Sequence, residues 1–122
     1  MGRDEVDGWL ARYVSAWHSG DPREIGDLFA ADARYRYHPA DEPIVGREAI
    51  VSSWLEEPDE PGSFDASYSC WASDGDRAVA TGTSSYTAPE PKVYDNVFLL
   101  EFDGDGRCTE FTELYVRRRQ AT

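Results

Sequence analysis

The chain has 122 residues, 24 of them Asp or Glu against 12 Lys or Arg, for a formal net charge of −12, with 40% hydrophobic and 13% aromatic residues. That length reads as a single domain over residues 1–122, and an apolar fraction so rich in rings excludes a disordered acidic chain. The acidity argues against a nucleic-acid partner, whose phosphates would be repelled, and against docking on an anionic membrane surface. No apolar run approaches a bilayer span, and the N-terminal MGRDEVDG lacks the apolar segment of a signal peptide, so the expected location is the cytoplasm. Cys70 and Cys108 are too few for a disulfide scaffold and are expected to be reduced and packed.

The first periodic segment spans residues 4–19. Val6, Trp9, Leu10, Tyr13, Val14 and Trp17 fall on one helical face, and His18-Ser19-Gly20 supplies a cation-capable last turn followed by a left-handed stop. A second helix follows at once, with Asp21 as cap, Pro22 at the first position and Glu24 completing a capping box; Ile25, Leu28 and Phe29 form its stripe. From Ala33 the period becomes two: Ala33, Tyr35 and Tyr37 share one strand face, Arg34, Arg36 and His38 the other. Pro39 to Pro43 is a loop, and after Gly46 a third helix carries Ile50, Val51, Trp54 and Leu55. Glu56 to Gly62, with four carboxylates and two prolines, is an exposed connection.

Four strands are expected beyond it. They are Phe64–Ser73, Arg77–Thr87, Val93–Phe102 and Arg107–Arg117, separated by Asp74-Gly75-Asp76, Ala88–Pro91 and the hairpin signal Asp103-Gly104-Asp105-Gly106. The order α-α-β-α-β-β-β-β implies an α+β fold, with helices layered on one mostly antiparallel sheet. In the last hairpin both faces carry apolar side chains: Phe98, Leu100, Phe111 and Tyr115 on one, Val97, Leu99, Leu114 and Val116 on the other. Three short helices cover one face only, so a homodimer through the outer face is expected.

Several stretches together resemble one family. These are Leu10–Asp21 (LARYVSAWHSGD), Leu28–Ala33 (LFAADA), Gly46–Ile50 (GREAI) and the ending Phe102–Cys108 (FDGDGRC) with its aromatic-bearing strand. They resemble the nuclear transport factor 2-like superfamily, in particular its SnoaL-like branch. That superfamily also holds ketosteroid isomerase, scytalone dehydratase and limonene epoxide hydrolase. The resemblance spans nearly the whole chain. It implies a cone-shaped α+β barrel, a curved sheet closing over three N-terminal helices around an apolar pocket, but it leaves open which of many chemistries the frame hosts.

The resemblance also implies which residues face the pocket: Tyr13 and Trp17 from the first helix, Tyr35 and Tyr37 from the first strand, Trp54 from the third helix, and Asn96, Phe98, Phe111, Glu113 and Tyr115 from the final hairpin. Tyr13 falls at the oxyanion-stabilising tyrosine of ketosteroid isomerase. Tyr37 and Phe98 occupy that enzyme's two catalytic carboxyl positions, so its particular reaction is not expected here. The Asp-Arg-Asp set of limonene epoxide hydrolase has no counterpart, and the pocket histidines of scytalone dehydratase find only His18 and His38.

Glu113, between Phe111 and Tyr115, is the first candidate for catalysis, because desolvation among rings raises a carboxyl pKa toward neutrality. A structural carboxylate bonded to a neighbouring Tyr, Trp or Asn is the competing reading. Tyr13, Tyr35, Tyr37 and Tyr115 offer hydroxyls to a substrate oxygen or simply wall the pocket. Asn96 either orients a ligand or pairs with Glu113. His38, opposite Tyr35 and Tyr37 in the alternation, reaches a pocket mouth only if the strand end twists; His18 reads as a helix cap. His38, Asp41 and Glu42 lack a second histidine at ligand spacing, and no GxGxxG or Walker sequence occurs, so neither metal nor cofactor is expected. The expected function is a cofactor-independent isomerase, cyclase or dehydratase. It would act by proton transfer on an apolar, ring-containing or polyketide-like molecule, with Glu113, Tyr13 and Tyr37 as catalytic groups. The alternative is a non-catalytic module that binds a hydrophobic ligand or dimerises.

Overall fold

A computed structural model describes residues 1–56, 58–60 and 62–119. Glu57 and Pro61 of the acidic connection, and the end of the expected domain at 120–122, lie outside the described residues.

Helix α1 covers Arg3–Ser19 and buries Val6, Trp9, Leu10, Tyr13 and Ala16, the stripe its spacing predicts. The Gly2 N–H donates to the Glu5 carboxylate at 3.2 Å, and Gly20, at φ 63°, ends the helix by donating its N–H to the Ala16 carbonyl. Helix α2, Pro22–Asp27, is capped by Asp21, whose side chain accepts from the Arg23 N–H at 2.8 Å. Glu24 does not complete a capping box; its carboxylate accepts from the Ser19 hydroxyl instead.

Strand β1 is Phe29–Arg36, so Phe29 begins a strand rather than ending the α2 stripe. A register irregularity between Phe29 and Arg34 interrupts the period-two signal, which is why the sequence shows the strand only from Ala33. Strand β2, Ile44–Val45, is too short to carry a period and was not anticipated. Helix α3 (Arg47–Glu56) and strands β3 (Phe64–Asp74), β4 (Arg77–Tyr86), β5 (Lys92–Phe102) and β6 (Cys108–Arg117) complete the chain. The sheet runs β2-β1-β6-β5-β4-β3, antiparallel except where β1 lies parallel to β6. The fold is the α+β cone expected, with its helices packed on one curved sheet.

The core is aromatic. Trp9 meets Phe29 and Phe102 edge-on, at centroid distances of 6.0 and 5.5 Å, and donates its indole N–H to the Leu28 carbonyl at 3.0 Å. Cys70 and Cys108 are free thiols packed in this core. Gly82, paired with Tyr68, has no room for a side chain: a Cβ there would collide with the Ser67 carbonyl and the Tyr68 backbone. The missing atom lets β3 close down on β4, which sharpens the curl of the sheet at that end. Cross-strand register sorts the two faces. Asn96, Phe98 and Leu100 lie opposite Tyr115, Glu113 and Phe111 on the inner face, and Val97 and Leu99 lie opposite Leu114 and Thr112 on the outer one.

Candidate functional site

The inner face and the helices enclose two adjoining lobes. The inner lobe, about 240 Å³, is lined by Tyr13 and Trp17 of α1, Tyr35 of β1, Tyr37 just beyond it, and Trp54 of α3. Asp59, Tyr68, Ser84, Tyr86 and Glu113 complete it. The outer lobe, about 250 Å³, adds Lys92, Tyr94, Asn96 and Tyr115, and shares Asp59, Ser84, Tyr86 and Glu113 with the first. Either alone is small for a ligand site of roughly 300–1,000 Å³, whereas the two together fall within that range.

Glu113 stands where the lobes meet. Its Oε2 accepts from Asn96 Nδ2 at 2.9 Å, and the Asn96 amide oxygen accepts in turn from the Ser84 hydroxyl at 3.0 Å. The relay fixes the Asn96 amide at both ends and aims a donor at one carboxylate oxygen. Burial among the rings pushes the Glu113 carboxyl up to about 7 from an ordinary 4.5, and the Asn96 bond holds it lower than burial alone would. The result is a carboxyl that exchanges its proton near neutral pH.

The surrounding phenols are driven in the same direction, which for them is away from neutrality. Burial raises the pKa of Tyr13, Tyr35, Tyr37, Tyr68 and Tyr86, and the nearby Glu113 charge raises each of them further. They stay protonated and serve as hydrogen-bond donors rather than bases. The Tyr35 hydroxyl neighbours those of Tyr13 and the Trp54 indole. Trp54 Nε1 is buried beside the Tyr35 hydroxyl without a hydrogen bond of good geometry, so it bears a desolvation cost.

Most of the expected site residues converge on this cavity, but not all of them line it. Phe98 and Phe111 are fully buried beneath it. Phe111 stacks between Tyr13, at 5.6 Å, and Tyr35, at 4.4 Å, and Phe98 packs on Tyr68 at 4.6 Å. They form the floor that sets the phenols rather than a surface a ligand touches. Tyr37 lines the inner lobe, but its hydroxyl shares a 2.9 Å hydrogen bond with Ser53. Tyr115 is half exposed at the outer rim, edge-on to Tyr94. His38 lies outside both lobes: it is exposed, and its Nδ1 accepts from the Ala40 N–H at 3.1 Å. The strand end does not twist it into either lobe. His18 stacks on Phe64 at 4.5 Å and faces Asp65 at the end of α1.

Five lining aromatic and polar residues of the strands escaped the sequence reading: Tyr68, Ser84, Tyr86, Lys92 and Tyr94. Alternation carried through the register would have found them, since Ser84 and Tyr94 are directly paired and Tyr86 shares their face. Asp59, which accepts from the Trp17 indole N–H at 3.1 Å, lies in a connection with no period to read. Among the described residues no group of three or more His, Cys, Asp or Glu is placed to hold a metal ion.

A larger concavity, about 480 Å³, lies on the outer face around Val79, Leu99 and Thr112. Three of its charged groups are paired, Arg77 with Glu101 at 2.8 Å and Glu110 with Arg34 and Arg36 at 3.6 and 3.3 Å, and Asp74 stands at its edge. It is an open, mostly apolar groove on the outer face.

Helices layered on one curved sheet define a cone-shaped α+β protein, and the comparisons with known proteins agree on that fold. The SnoaL-like domain family matches residues 10–111, well over half of the chain. The chain belongs to that family, the SnoaL-like branch of the nuclear transport factor 2-like superfamily, whose members are of ligand-binding or isomerase type. Among solved structures it is similar to an NTF-2 like protein of unknown function from Burkholderia xenovorans LB400. The TM-score is 0.74 and the identity 20%, covering 98% of this chain and 88% of that one. At that identity the likeness speaks for the fold alone. No functionally curated protein matches the chain. Among the described residues no helix is long and apolar enough to cross a membrane.

Proposed function

We propose that the protein is a cofactor-independent enzyme of the isomerase, cyclase or dehydratase type, transferring a proton within a small ring-containing substrate. The observation that carries this reading is Glu113, half-buried where the two lobes meet, with its carboxyl pushed up to about 7. As a base it would take a proton from a carbon next to a substrate carbonyl and return it at another position. The enolate oxygen formed in between needs donors that remain protonated. The lining phenols Tyr13 and Tyr35 supply them. Tyr37 and Asn96 take lesser parts than the sequence suggested, since Ser53 holds one hydroxyl and both ends of the amide are engaged. Asn96 acts as a positioning residue for the base.

The test is deuterium uptake by neutral cyclic ketones, 2-tetralone and cyclohex-2-enone, followed by NMR in heavy water. The protein should speed exchange above buffer, and Glu113→Gln should lose about 10²-fold or more of that acceleration. Undiminished exchange in the variant would discard the proposed base; no acceleration with either ketone would favour a binding module. That second reading draws on the Asn96–Glu113 bond, which also serves a carboxylate that only holds the cone in shape.

We infer further that the protein works as a homodimer joined through the outer sheet face. Leu99, Leu114 and Val116 are exposed there at 46%, 38% and 70%, an apolar row on two adjoining strands. A cytoplasmic setting accords with two buried, unpaired thiols.

A further inference from the structure

The outer lobe has a composition that a purely apolar ligand does not require. It is walled by the rings of Tyr86, Tyr94 and Tyr115, and carries two carboxylates, Asp59 and Glu113. The one cation lining either lobe among the described residues is Lys92. Its ammonium is not bonded to either carboxylate; it rides over the Tyr86 ring at 5.1 Å and the Tyr94 ring at 5.8 Å. The protein therefore already seats an ammonium ion on these two faces, where ring quadrupoles attract it. The neighbouring arginines are committed elsewhere, Arg117 to Glu90 at 3.1 Å and Arg118 to Asp95 at 2.8 Å, and leave the carboxylates of the lobe uncompensated. A net charge of −12 adds a field that draws cations and repels anions.

We propose that the outer lobe is a cation subsite. It takes the ammonium group of a ring-bearing amine whose ring enters the inner lobe, and Lys92 occupies the Tyr86–Tyr94 faces until that ligand displaces it. The assignment narrows the substrate class at the site argued above and rests on that reading for the fate of the ring alone. Asp59 is the counter-charge. It lines both lobes, is held by the Trp17 indole, and lies close enough to Tyr86 to raise the pKa of that phenol. Glu113 remains the group at the junction, beside the ring rather than the ammonium.

Lys92 separates this assignment from its opposite. If the lobe takes a cation, Lys92 is a competitor, and removing its charge strengthens binding. If the lobe takes a carboxylate, Lys92 is the anchor, and removing its charge weakens binding.

The experiment is calorimetric titration at pH 8 with three probes of one shape: phenethylamine, neutral 2-phenylethanol and anionic phenylacetate. The expected order is amine over alcohol by about tenfold, with the acid weakest. Lys92→Gln should tighten phenethylamine several-fold and leave 2-phenylethanol within about twofold, while Asp59→Asn should weaken the amine several-fold. Equal binding of amine and alcohol, no detectable amine binding at millimolar probe, a preference for phenylacetate, or weaker amine binding in Lys92→Gln would each overturn the assignment. Circular dichroism of both variants confirms that they fold. The ketone exchange measurement uses neutral molecules and the Glu113 variant, so failure of one proposal is read independently of the other.

Discussion

Tyr35 and Phe111 stack face to face across the parallel β1–β6 pair, with ring centroids 4.4 Å apart and planes within 2°. They are directly opposite in register. The contact joins the strand that carries the Tyr35 phenol to the strand that carries Glu113, so the geometry of donor and base depends on one buried ring. Phe111→Ala should destabilise the protein by roughly 3–5 kcal/mol, as ring deletions in packed cores do. Phe111→Leu, which keeps most of the volume, should cost less yet still loosen Tyr35. Denaturant titration gives both values; a cost for the alanine variant near zero would show that the stack carries no strain of the fold.

The Glu113 carboxyl links stability to pH with a definite sign. Its folded value of about 7 lies above the ordinary 4.5, so between these values the folded chain keeps a proton that the unfolded chain releases. The stability contributed by the neutral carboxyl is whole below about pH 4.5, declines as pH rises, and is gone above about pH 7. At about 1.4 kcal/mol for each factor of ten in proton affinity, the decline totals on the order of 3 kcal/mol. Glu113→Gln is neutral throughout and lacks that decline. The variant should gain on the parent between pH 5 and 8 when both are melted in parallel, and parallel curves would refute the buried carboxyl.

Removing the Asn96 amide should move the same transition. Its bond favours the ionised carboxylate, so Asn96→Leu leaves burial unopposed and shifts the Glu113 midpoint above 7. The Ser84 hydroxyl also loses its acceptor, at about 1–3 kcal/mol for a buried unsatisfied group. Carbon-13 NMR titration of labelled glutamate reads the midpoint directly. A midpoint that stays or falls would mean that Asn96 does not position the base.

The outer face makes a separate prediction about assembly. Leu99→Glu and Val116→Glu place charges in the exposed apolar row without touching the cavity. Each should convert a dimer to a monomer in sedimentation velocity while leaving the pH dependence of Glu113 in place. A parent protein that stays monomeric at every concentration down to nanomolar would remove the dimer altogether.

The helices and most strands were legible in the residues because each buries one face against a single layer. Val6, Trp9, Leu10 and Tyr13 repeat at helical spacing, and the Asp103–Gly106 hairpin carries its own turn chemistry, Asp103 accepting from the Asp105 and Arg107 N–H groups. The start of β1 was hidden because its irregular register breaks the alternation at that point. Glu113 stood out because rings flank it at period two. Asp59 did not, because it lies in a connection that leaves no periodic trace, whereas Lys92 and Tyr94 stand at period two with Asn96 and needed only the register to place them. Which of two reachable partners a side chain chooses is equally absent from a sequence: Ser53 for Tyr37, Ala40 for His38, Ser84 for Asn96.

The parallel pairing of β1 with β6 also governs when the site comes into being. During synthesis the helices, Tyr13, Tyr35 and Trp54 emerge first, and the strand that stacks on Tyr35 and brings Glu113 emerges last of the six. Sheet closure must wait for it, a long-range pairing of the kind that slows folding. Until then the tyrosine-lined walls stand open on a nascent chain, with neither Glu113 between them nor the Phe111 ring beneath. Truncations that remove β6 should therefore leave a ring-rich, sticky intermediate rather than a smaller version of the protein.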